Sequence, residues 1–312
     1  MIISLANTQE LLFLENRSGN RTSHEGGAFW FNRAIDLCRE GGFRKIRLRG
    51  DTAFTQTEYL DGWDDDGVKF IFGMPVAPSL AARADRIPKS RWKRLRRPAK
   101  YEVKTEPRAR PVNVKEQVII DREFDAVHLD HEEITEFDYT PARCKKPYRL
   151  VVVKKHLVWT KGQHQLWDEI RYFFYITNDQ KMPTDEVVFS ANGRCNQENL
   201  IDQLKHGVHA LCAPVDTLLS NWAYMVMAGL AWNLKVWFGL LMPVRGRWRK
   251  RHEAEKTEVV RMHAKRFINA FIRVPCQIAR TGRRVIYRLL GWSKWQSSLL
   301  RMGDAMRTPL RC

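Results

Sequence analysis

The sequence predicts an α/β protein that carries a β-rich insertion and ends in a helical, basic region. Three observations lead to this prediction. Strand-like and helix-like segments alternate over the first hundred or so residues, which is typical of an α/β sheet. Strand-like runs separated by polar turns then fill residues 103–177, and the chain reads as helical from Pro183 onward.

The composition is that of a folded chain with a strong positive charge. The 312 residues are 44% hydrophobic and 28% charged, which argues against disorder along the whole chain. The formal net charge of +18 favours a polyanionic partner, either nucleic acid or an anionic membrane surface. The six cysteines are scattered without a C-x-x-C pair, so we expect reduced thiols in a cytoplasmic protein.

The N-terminal part supplies strands and a first helix. The stretch "IISLANTQELLFLENR" predicts two short strands joined by a turn, and "HEGGAFWFNRAIDLCREGG" predicts a helix from about Gly27 to Arg39. Two further strands are predicted in "FRKIRLRGD" and "KFIFGMPV". Between them Thr55 and Glu58 have capping-box spacing, which predicts the start of a helix.

The middle of the chain predicts a block of strands with no helix between them. The strand-like runs are "KEQVIID", "ITEFDYT", "YRLVVVKKHLVW" and "IRYFFYITN". We therefore divide the chain into four parts: the first part of the core (1–102), the β-rich insertion (103–177), core helices (178–244) and the basic helical C-terminal region (245–312).

Two segments concentrate the positive charge. Residues 81–115 contain thirteen Lys and Arg against three Asp and Glu, and residues 245–312 contain eighteen against four. Prolines at both ends of "PKSRWKRLRRPAK" argue against a long helix in the first segment, which a solvated surface or a linker would also explain. The second spaces its apolar residues as amphipathic helices with a basic face, suited to DNA phosphates, an anionic membrane or another protein chain.

The apolar stretch from Asn221 to Leu241 is interpreted as a buried helix. Its uncharged part ends at Asn233 and Lys235, short of the roughly 20 residues that a bilayer core requires. Tryptophans and nearby basic residues are also typical of a membrane interface, which keeps a membrane-surface protein as an alternative. The N-terminus shows no signal peptide, and we expect no membrane partner.

Asp51 follows the strand in "KIRLRG", and sites in α/β sheets lie beyond the carboxyl ends of strands. This position suits a ligand to a metal ion. The alternative is a turn aspartate that caps the following helix, which position alone favours.

The segment "RCNQENLIDQLKHG" places Arg194, Glu198 and Lys205 along one face if it forms a helix. Two interpretations are open. Arg194 and Glu198 could form a salt bridge on a solvent-exposed face. Alternatively, Glu198 binds Mg²⁺ while Arg194 and Lys205 hold phosphate oxygens of a nucleic-acid backbone.

The spacing Arg, three residues, Glu, six residues, Lys resembles the R-E-K part of the Y-R-E-K signature of bacterial insertion-sequence DDE transposases. "RLRGDTAF" resembles the segment that carries their second aspartate, and "LENRSGNRTSH" resembles the R-x-G-N segment before it. "SNWAYMVMAGLAWNLK" is similar to the apolar helix that follows their glutamate, and the β-rich block is similar to their insertion. The resemblance implies an RNase H-like core.

The resemblance also implies a function, DNA transposition by phosphodiester hydrolysis and strand transfer. In such enzymes three carboxylates hold two Mg²⁺ ions, which activate the attacking oxygen and stabilise the leaving one. Asp51 and Glu198 would be two of the metal ligands and catalytic residues, and Arg194 and Lys205 would hold DNA phosphates. The implied partners are double-stranded DNA, from transposon ends and target, and a second transposase subunit.

The sequence departs from the family pattern at two positions. Ala191 stands where the signature tyrosine is expected. No residue matches the first aspartate, because only Asp36 precedes Asp51 and it lies in the predicted first helix. We therefore interpret the chain as an N-terminally truncated transposase without its first strand, which would split the sheet and expose two edges.

Such a chain is expected not to cut DNA alone, because it supplies two acids of three. The alternative is a protein of the same ancestry that binds DNA or a full-length transposase without chemistry, as an inhibitor.

Overall fold

The computed structural model describes residues 1–98, 114–123, 125–161, 164–193 and 195–306. The chain forms two compact units, one from Met1–Asp36 with Cys195–Cys312 and one from Leu37–Arg194. Each unit is described by itself.

The described residues contain strands and helices throughout. The strands are β1 (Ile2–Ser4), β2 (Leu11–Leu14), β3 (Arg47–Gly50), β4 (Lys69–Met74), β5 (Lys93–Arg94), β6 (Asp125–Tyr139), β7 (Tyr148–Lys161), β8 (His164–Thr177), β9 (Cys276–Thr281) and β10 (Arg284–Leu289). The α-helices are α1 (Gly27–Glu40), α2 (Leu60–Asp65), α3 (Pro78–Asp85), α4 (Val114–Asp121), α5 (Thr184–Asn192), α6 (Cys195–Asp202), α7 (Leu218–Leu241), α8 (Arg249–Arg261), α9 (Ala264–Phe267) and α10 (Gln296–Met306). Short 3₁₀ turns cover Thr52–Phe54, Thr57–Tyr59 and Lys89–Arg91, and π-helical turns cover Gln203–Gly207 and Ile268–Ile272.

The unit of residues 37–194 is built on a mixed six-stranded sheet in the order β3-β4-β8-β7-β6-β5. Only the β3–β4 pair is parallel, and the other pairs are antiparallel. The predicted α/β class is therefore confirmed as a mixed α/β fold with a central mixed sheet. The three long strands β6, β7 and β8 join this sheet directly, because β8 pairs with β4.

Helices cover both faces of β4, which explains its nearly continuous apolar sequence. Ile71 packs in a buried cluster with Val187 and Val188 of α5. Phe70 and Phe72 alternate with it and point to the opposite face. There the Phe72 ring lies 5.8 Å from the ring of Trp63 on α2.

The other unit begins with the predicted hairpin of β1 and β2, which forms a two-stranded sheet of its own. The hairpin is therefore not part of the six-stranded sheet. Helix α7 provides hydrogen-bond partners for the backbone of β2. The Asn233 side chain donates to the Leu11 carbonyl and accepts from the Leu11 amide, both at 2.8 Å. Trp232 donates to the Gln9 carbonyl at 2.8 Å.

Helix α7 is the one helix in the described part of the chain that is long and apolar enough to cross a bilayer, judged by length and composition. Only 28% of its most apolar window is buried. The side chains of Asn233 and Lys235 nevertheless bind backbone groups inside this unit, as those of a core helix do. One such helix is weak evidence for a membrane span, and the absence of a membrane partner stays a prediction.

Three predictions of local structure are wrong. The run "KEQVIID" forms helix α4, not a strand, and Val118 on it is exposed. A short apolar run of this kind fits either structure until a partner strand is present to pair with it. The capping box at Thr55 does not form, because the Thr55 hydroxyl donates to the Gly73 carbonyl. The predicted helix start is nevertheless present, since the 3₁₀ turn Thr57–Tyr59 leads into α2.

The third wrong prediction concerns the C-terminal region, which is not helical throughout. Strands β9 and β10 form an antiparallel hairpin around Gly282 and Arg283. Gly282 has a φ of +53°, which a two-residue hairpin loop requires and which glycine adopts without strain.

Candidate functional site

Asp51 lies at the carboxyl end of β3, directly after the residue that pairs with Phe72 of parallel strand β4. The predicted position at a strand end is therefore confirmed. The carboxyl ends of adjacent parallel strands meet at one edge of a sheet, where α/β folds collect ligand-binding side chains. The metal-ligand role that the sequence suggests for Asp51 stays a prediction.

The Asp51 side chain also caps the turn that follows it. One carboxylate oxygen accepts a hydrogen bond from the Ala53 amide at 3.1 Å, at the start of the 3₁₀ turn Thr52–Phe54. The capping alternative therefore has direct structural support. It does not exclude metal binding, because an ionised carboxylate offers about four lone-pair positions.

A close backbone approach holds this turn. A Cβ atom added at Gly73 of β4 would lie 2.9 Å from the Thr52 hydroxyl and 3.1 Å from the Thr52 nitrogen. The Thr55 hydroxyl donates to the Gly73 carbonyl in the same place. Gly73 was not singled out from the sequence, although a glycine inside a strand-like run is a signal of close backbone approach.

Arg49, two residues before Asp51, connects β3 to the end of α5. Its guanidinium donates to the Ser190 carbonyl at 3.0 Å. Burial, followed by repulsion from Arg47, lowers the pKa of Arg49. A Cβ added at Gly193 would lie 2.8 Å from the Arg49 guanidinium, so Gly193 admits this contact. The chain therefore passes beside β3 immediately before position 194.

The predicted helix around Glu198 is present over the described residues from Cys195 to Gly207, although its last turn is π-helical. Helix α5 ends at Asn192, α6 covers Cys195–Asp202, and the next residues form the π-helical turn Gln203–Gly207. Arg194 itself lies outside the described residues, so the predicted Arg194–Glu198 pair stays a prediction.

Glu198 lies on the exposed face of α6. The opposite face carries Leu200, which packs with Leu204 and Trp232 in a buried apolar cluster. A hydrogen bond of 2.6 Å from the Ser4 hydroxyl to the Gln197 side chain ties the helix to β1. The apolar face thus orients α6 so that Glu198 is presented to solvent.

Lys205 is exposed as well, but it lies in the π-helical turn. The i→i+5 hydrogen bonding of such a turn is wider than that of an α-helix, so the seven-residue spacing from Glu198 does not keep its α-helical angle. Gln203 holds the turn by accepting from the Ala264 amide at 3.1 Å. A Cβ at Gly207 would lie 2.9 Å from the Ala264 Cβ. Single-turn π-helical insertions occur frequently at functional sites.

The predicted residues are distributed over both units. Asp51 belongs to the unit of residues 37–194, whereas Glu198 and Lys205 belong to the other. Asp51 is half-buried and Glu198 is exposed. The supporting residues Arg49, Gly73 and Gly193 were missed because their contacts join segments far apart in the sequence.

The hairpin of β9 and β10 is a second candidate contact surface. Every residue from Arg280 to Leu290 is exposed. The exposed cations are Arg280, Arg283, Arg284 and Arg288. Tyr287 is 64% exposed on the same hairpin, and aromatic side chains beside arginines are typical of surfaces that bind nucleic acid.

Residues 3–308 match a protein family, and the match defines the class of protein. The family is described as transposase DDE domain group 1, and the chain belongs to it. Members act in DNA transposition and typically use divalent metal ions. No curated protein matches the chain significantly.

Proposed function

We propose that this chain is a DNA-directed DDE transposase protein of the Y-R-E-K type with an RNase H-like core, in which Asp51 and Glu198 bind Mg²⁺. The observation that carries the proposal is the position of Asp51 at the carboxyl end of a parallel strand, in a chain that matches the family over residues 3–308. Arg194 and Lys205 hold DNA phosphates in this proposal. The protein acts in the cytoplasm as part of a transposase dimer.

The donor chemistry of the two acids fits the metal. Mg²⁺ prefers carboxylate and water oxygens, and it is usually held by one or two carboxylates together with substrate phosphates. When bound, the ions activate the attacking oxygen and stabilise the leaving oxygen of a phosphodiester. The Asp51 carboxylate is oriented by its bond to the Ala53 amide, and Glu198 is oriented by the buried face of α6.

We further propose that the chain alone binds DNA without cutting it. The family's chemistry uses three carboxylates, and the sequence matches two of them. Asp36, the only aspartate before Asp51, is exposed within α1 and does not follow a strand. The basic hairpin supports the alternative, in which the chain binds DNA or a full-length transposase and inhibits transposition.

The first experiment separates the capping role of Asp51 from metal binding. Asp51→Asn keeps an oxygen that can accept from the Ala53 amide, but it removes the charge that holds a divalent cation. Mn²⁺ binding in the presence of duplex DNA is followed by electron paramagnetic resonance for the wild type, Asp51→Asn and Glu198→Gln. We expect a loss of affinity of at least about tenfold for each variant.

Asp36→Asn is the matched control, since it removes an exposed acid from α1. If Asp51→Asn keeps wild-type Mn²⁺ affinity while Asp51→Ala loses stability, the role of Asp51 is to cap the turn and not to bind metal.

The second experiment tests the chemistry. Nicking of transposon-end DNA is measured with Mg²⁺ or Mn²⁺, for the chain itself and for a version extended by an N-terminal strand that carries an aspartate. We expect cleavage only in the extended version. Metal-dependent cleavage by the chain itself that Asp51→Ala abolishes would overturn the binding-only proposal, and no cleavage in either would favour the inhibitor.

The third experiment tests the phosphate contacts through salt dependence. Each phosphate contact contributes about 0.9 to the slope of log K against log salt. Lys205→Ala is expected to lower that slope by about 0.9, and Arg280→Ala, Arg284→Ala and Arg288→Ala together by about 2.7. Lys181→Ala, at an exposed lysine of the other unit, is the control for lost charge.

A further inference from the structure

A β-bulge in β6 brings two histidines directly opposite each other. Leu129 of β6 pairs with Leu157 of β7, but the next pair is His131 with His156, so Asp130 is an extra residue without a partner in the register. The rings of His131 and His156 stack with their centroids 4.0 Å apart and their planes inclined by 10°. Bulges of this kind redirect side chains and are enriched beside functional sites.

Glu133 completes a cluster on the same face of the sheet, since it lies two residues after His131. One of its carboxylate oxygens is 3.0 Å from His156 Nε2. A ring nitrogen of each histidine and an oxygen of Glu133 all lie within 4.8 Å of one another. The three side chains are about one-quarter exposed, which allows an ion to enter.

The extra residue orients one of the histidines. Asp130 Oδ2 lies 2.8 Å from His131 Nδ1, which places the proton of a neutral ring on Nδ1 and leaves the lone pair on Nε2. A carboxylate that holds the second ring nitrogen is the usual partner of a metal-binding histidine. The bulge therefore supplies both the facing histidines and the group that orients one of them.

We propose that His131, Glu133 and His156 bind a divalent transition-metal ion, Zn²⁺ in the first place. Two imidazoles and one carboxylate match the ligands that Zn²⁺ accepts, with a fourth position for water. Mg²⁺ is a poorer occupant because it prefers oxygen ligands throughout. This site is separate from Asp51 and Glu198 and does not depend on the proposed transposase chemistry.

The ion would displace an existing interaction. Lys154 pairs with Glu133 in the strand register, and its ammonium lies 3.9 Å from the carboxylate. A bound cation would repel this ammonium, which can move toward the ring of Trp92, now 5.3 Å away. Because its ligands lie on both β6 and β7, the ion would also stabilise the strand pairing at the bulge.

The test uses the full chain after treatment with a chelator. Zn²⁺ is titrated against a competing chromophoric indicator, and one tightly bound equivalent is expected. Co²⁺ is expected to give the visible absorption of a four-coordinate site. The isosteric Glu133→Gln and the double variant His131→Ala, His156→Ala should lose this equivalent, and Asp130→Asn should weaken binding by about 10–100-fold.

The matched control is the double variant His128→Ala, His164→Ala, which removes two exposed histidines from β6 and β8 of the same sheet. It should keep wild-type affinity. Circular dichroism identifies any variant that fails to fold, in which case Glu133→Gln decides. Wild-type affinity in Glu133→Gln, an equal loss in the control, or less than one equivalent in the wild type would overturn the proposal.

Discussion

Asp51 and Glu198 are carried by two different kinds of support. Asp51 lies in a turn that backbone atoms hold in place, through the close approach of Thr52 to Gly73. Glu198 lies on a helix that apolar side chains hold in place, through Leu200 and Leu204 in the buried cluster. The position of Asp51 therefore depends on the absence of a side chain at Gly73, whereas that of Glu198 depends on the presence of several apolar side chains.

The largest expected effect is on the support of Glu198. Leu204 is completely buried, so Leu204→Ala removes apolar contacts and leaves a cavity. We expect a loss of about 2–5 kcal/mol in the free energy of unfolding, measured by urea denaturation. The neighbouring Lys205→Ala is exposed and should change stability by less than about 0.5 kcal/mol. Equal losses of unfolding free energy in both variants would contradict the assignment of Leu204 to the buried face and Lys205 to the exposed face.

The stability of the unit that contains Glu198 should depend on pH through Lys235. Burial lowers the pKa of Lys235 from 10.5 to about 8, and its ammonium donates to the Val260 carbonyl at 2.6 Å. Between pH 8 and 10.5 the unfolded chain keeps this proton while the folded chain has released it. The free energy of unfolding should therefore rise with pH across this window, by up to about 3 kcal/mol, and be independent of this group below pH 8.

The measurement compares urea denaturation of the wild type and Lys235→Met at several pH values. The difference between the two curves isolates Lys235 from the other titrating lysines. A difference that stays constant from pH 7 to 10.5 would show that the Lys235 ammonium remains charged in the folded protein.

The support of Asp51 should respond to added volume. Gly73→Ala places a Cβ against Thr52, including its backbone nitrogen, which cannot rotate away. We expect a loss of about 1–3 kcal/mol in the free energy of unfolding and weaker Mn²⁺ binding through Asp51. Gly62→Ala in α2 is the control, because nothing lies within 4 Å of its Cβ and alanine favours the helix. Unchanged Mn²⁺ affinity in Gly73→Ala would mean that the turn position does not matter.

The smallest expected effect concerns the hydrogen bond between β1 and α6. Ser4→Ala removes the donor to Gln197 and should cost about 1 kcal/mol in unfolding free energy. Ser18→Ala, at an exposed position, should have almost no effect in the same thermal denaturation experiment. A larger cost from Ser18→Ala than from Ser4→Ala would contradict the assigned contact.

Local patterns predicted much of the fold. The hairpin of β1 and β2, helix α1 and the end of β3 at Gly50 follow from alternation, helical spacing and glycine stops, which act over a few residues. The prediction failed for "KEQVIID" and for the C-terminal hairpin, where short apolar runs suit both helix and strand. It also did not include the close contact between Gly193, after the end of α5, and Arg49 of β3.

The sequence by itself determined the class of the protein, its excess of positive charge and the position of Asp51 after a strand, because these depend on composition and short-range spacing. Only the tertiary structure decided the rest. Whether Gly73 admits the turn of Asp51, and whether His131 faces His156, depends on strand register. Register is set by pairing between distant segments, and a one-residue bulge at Asp130 changes which side chains meet.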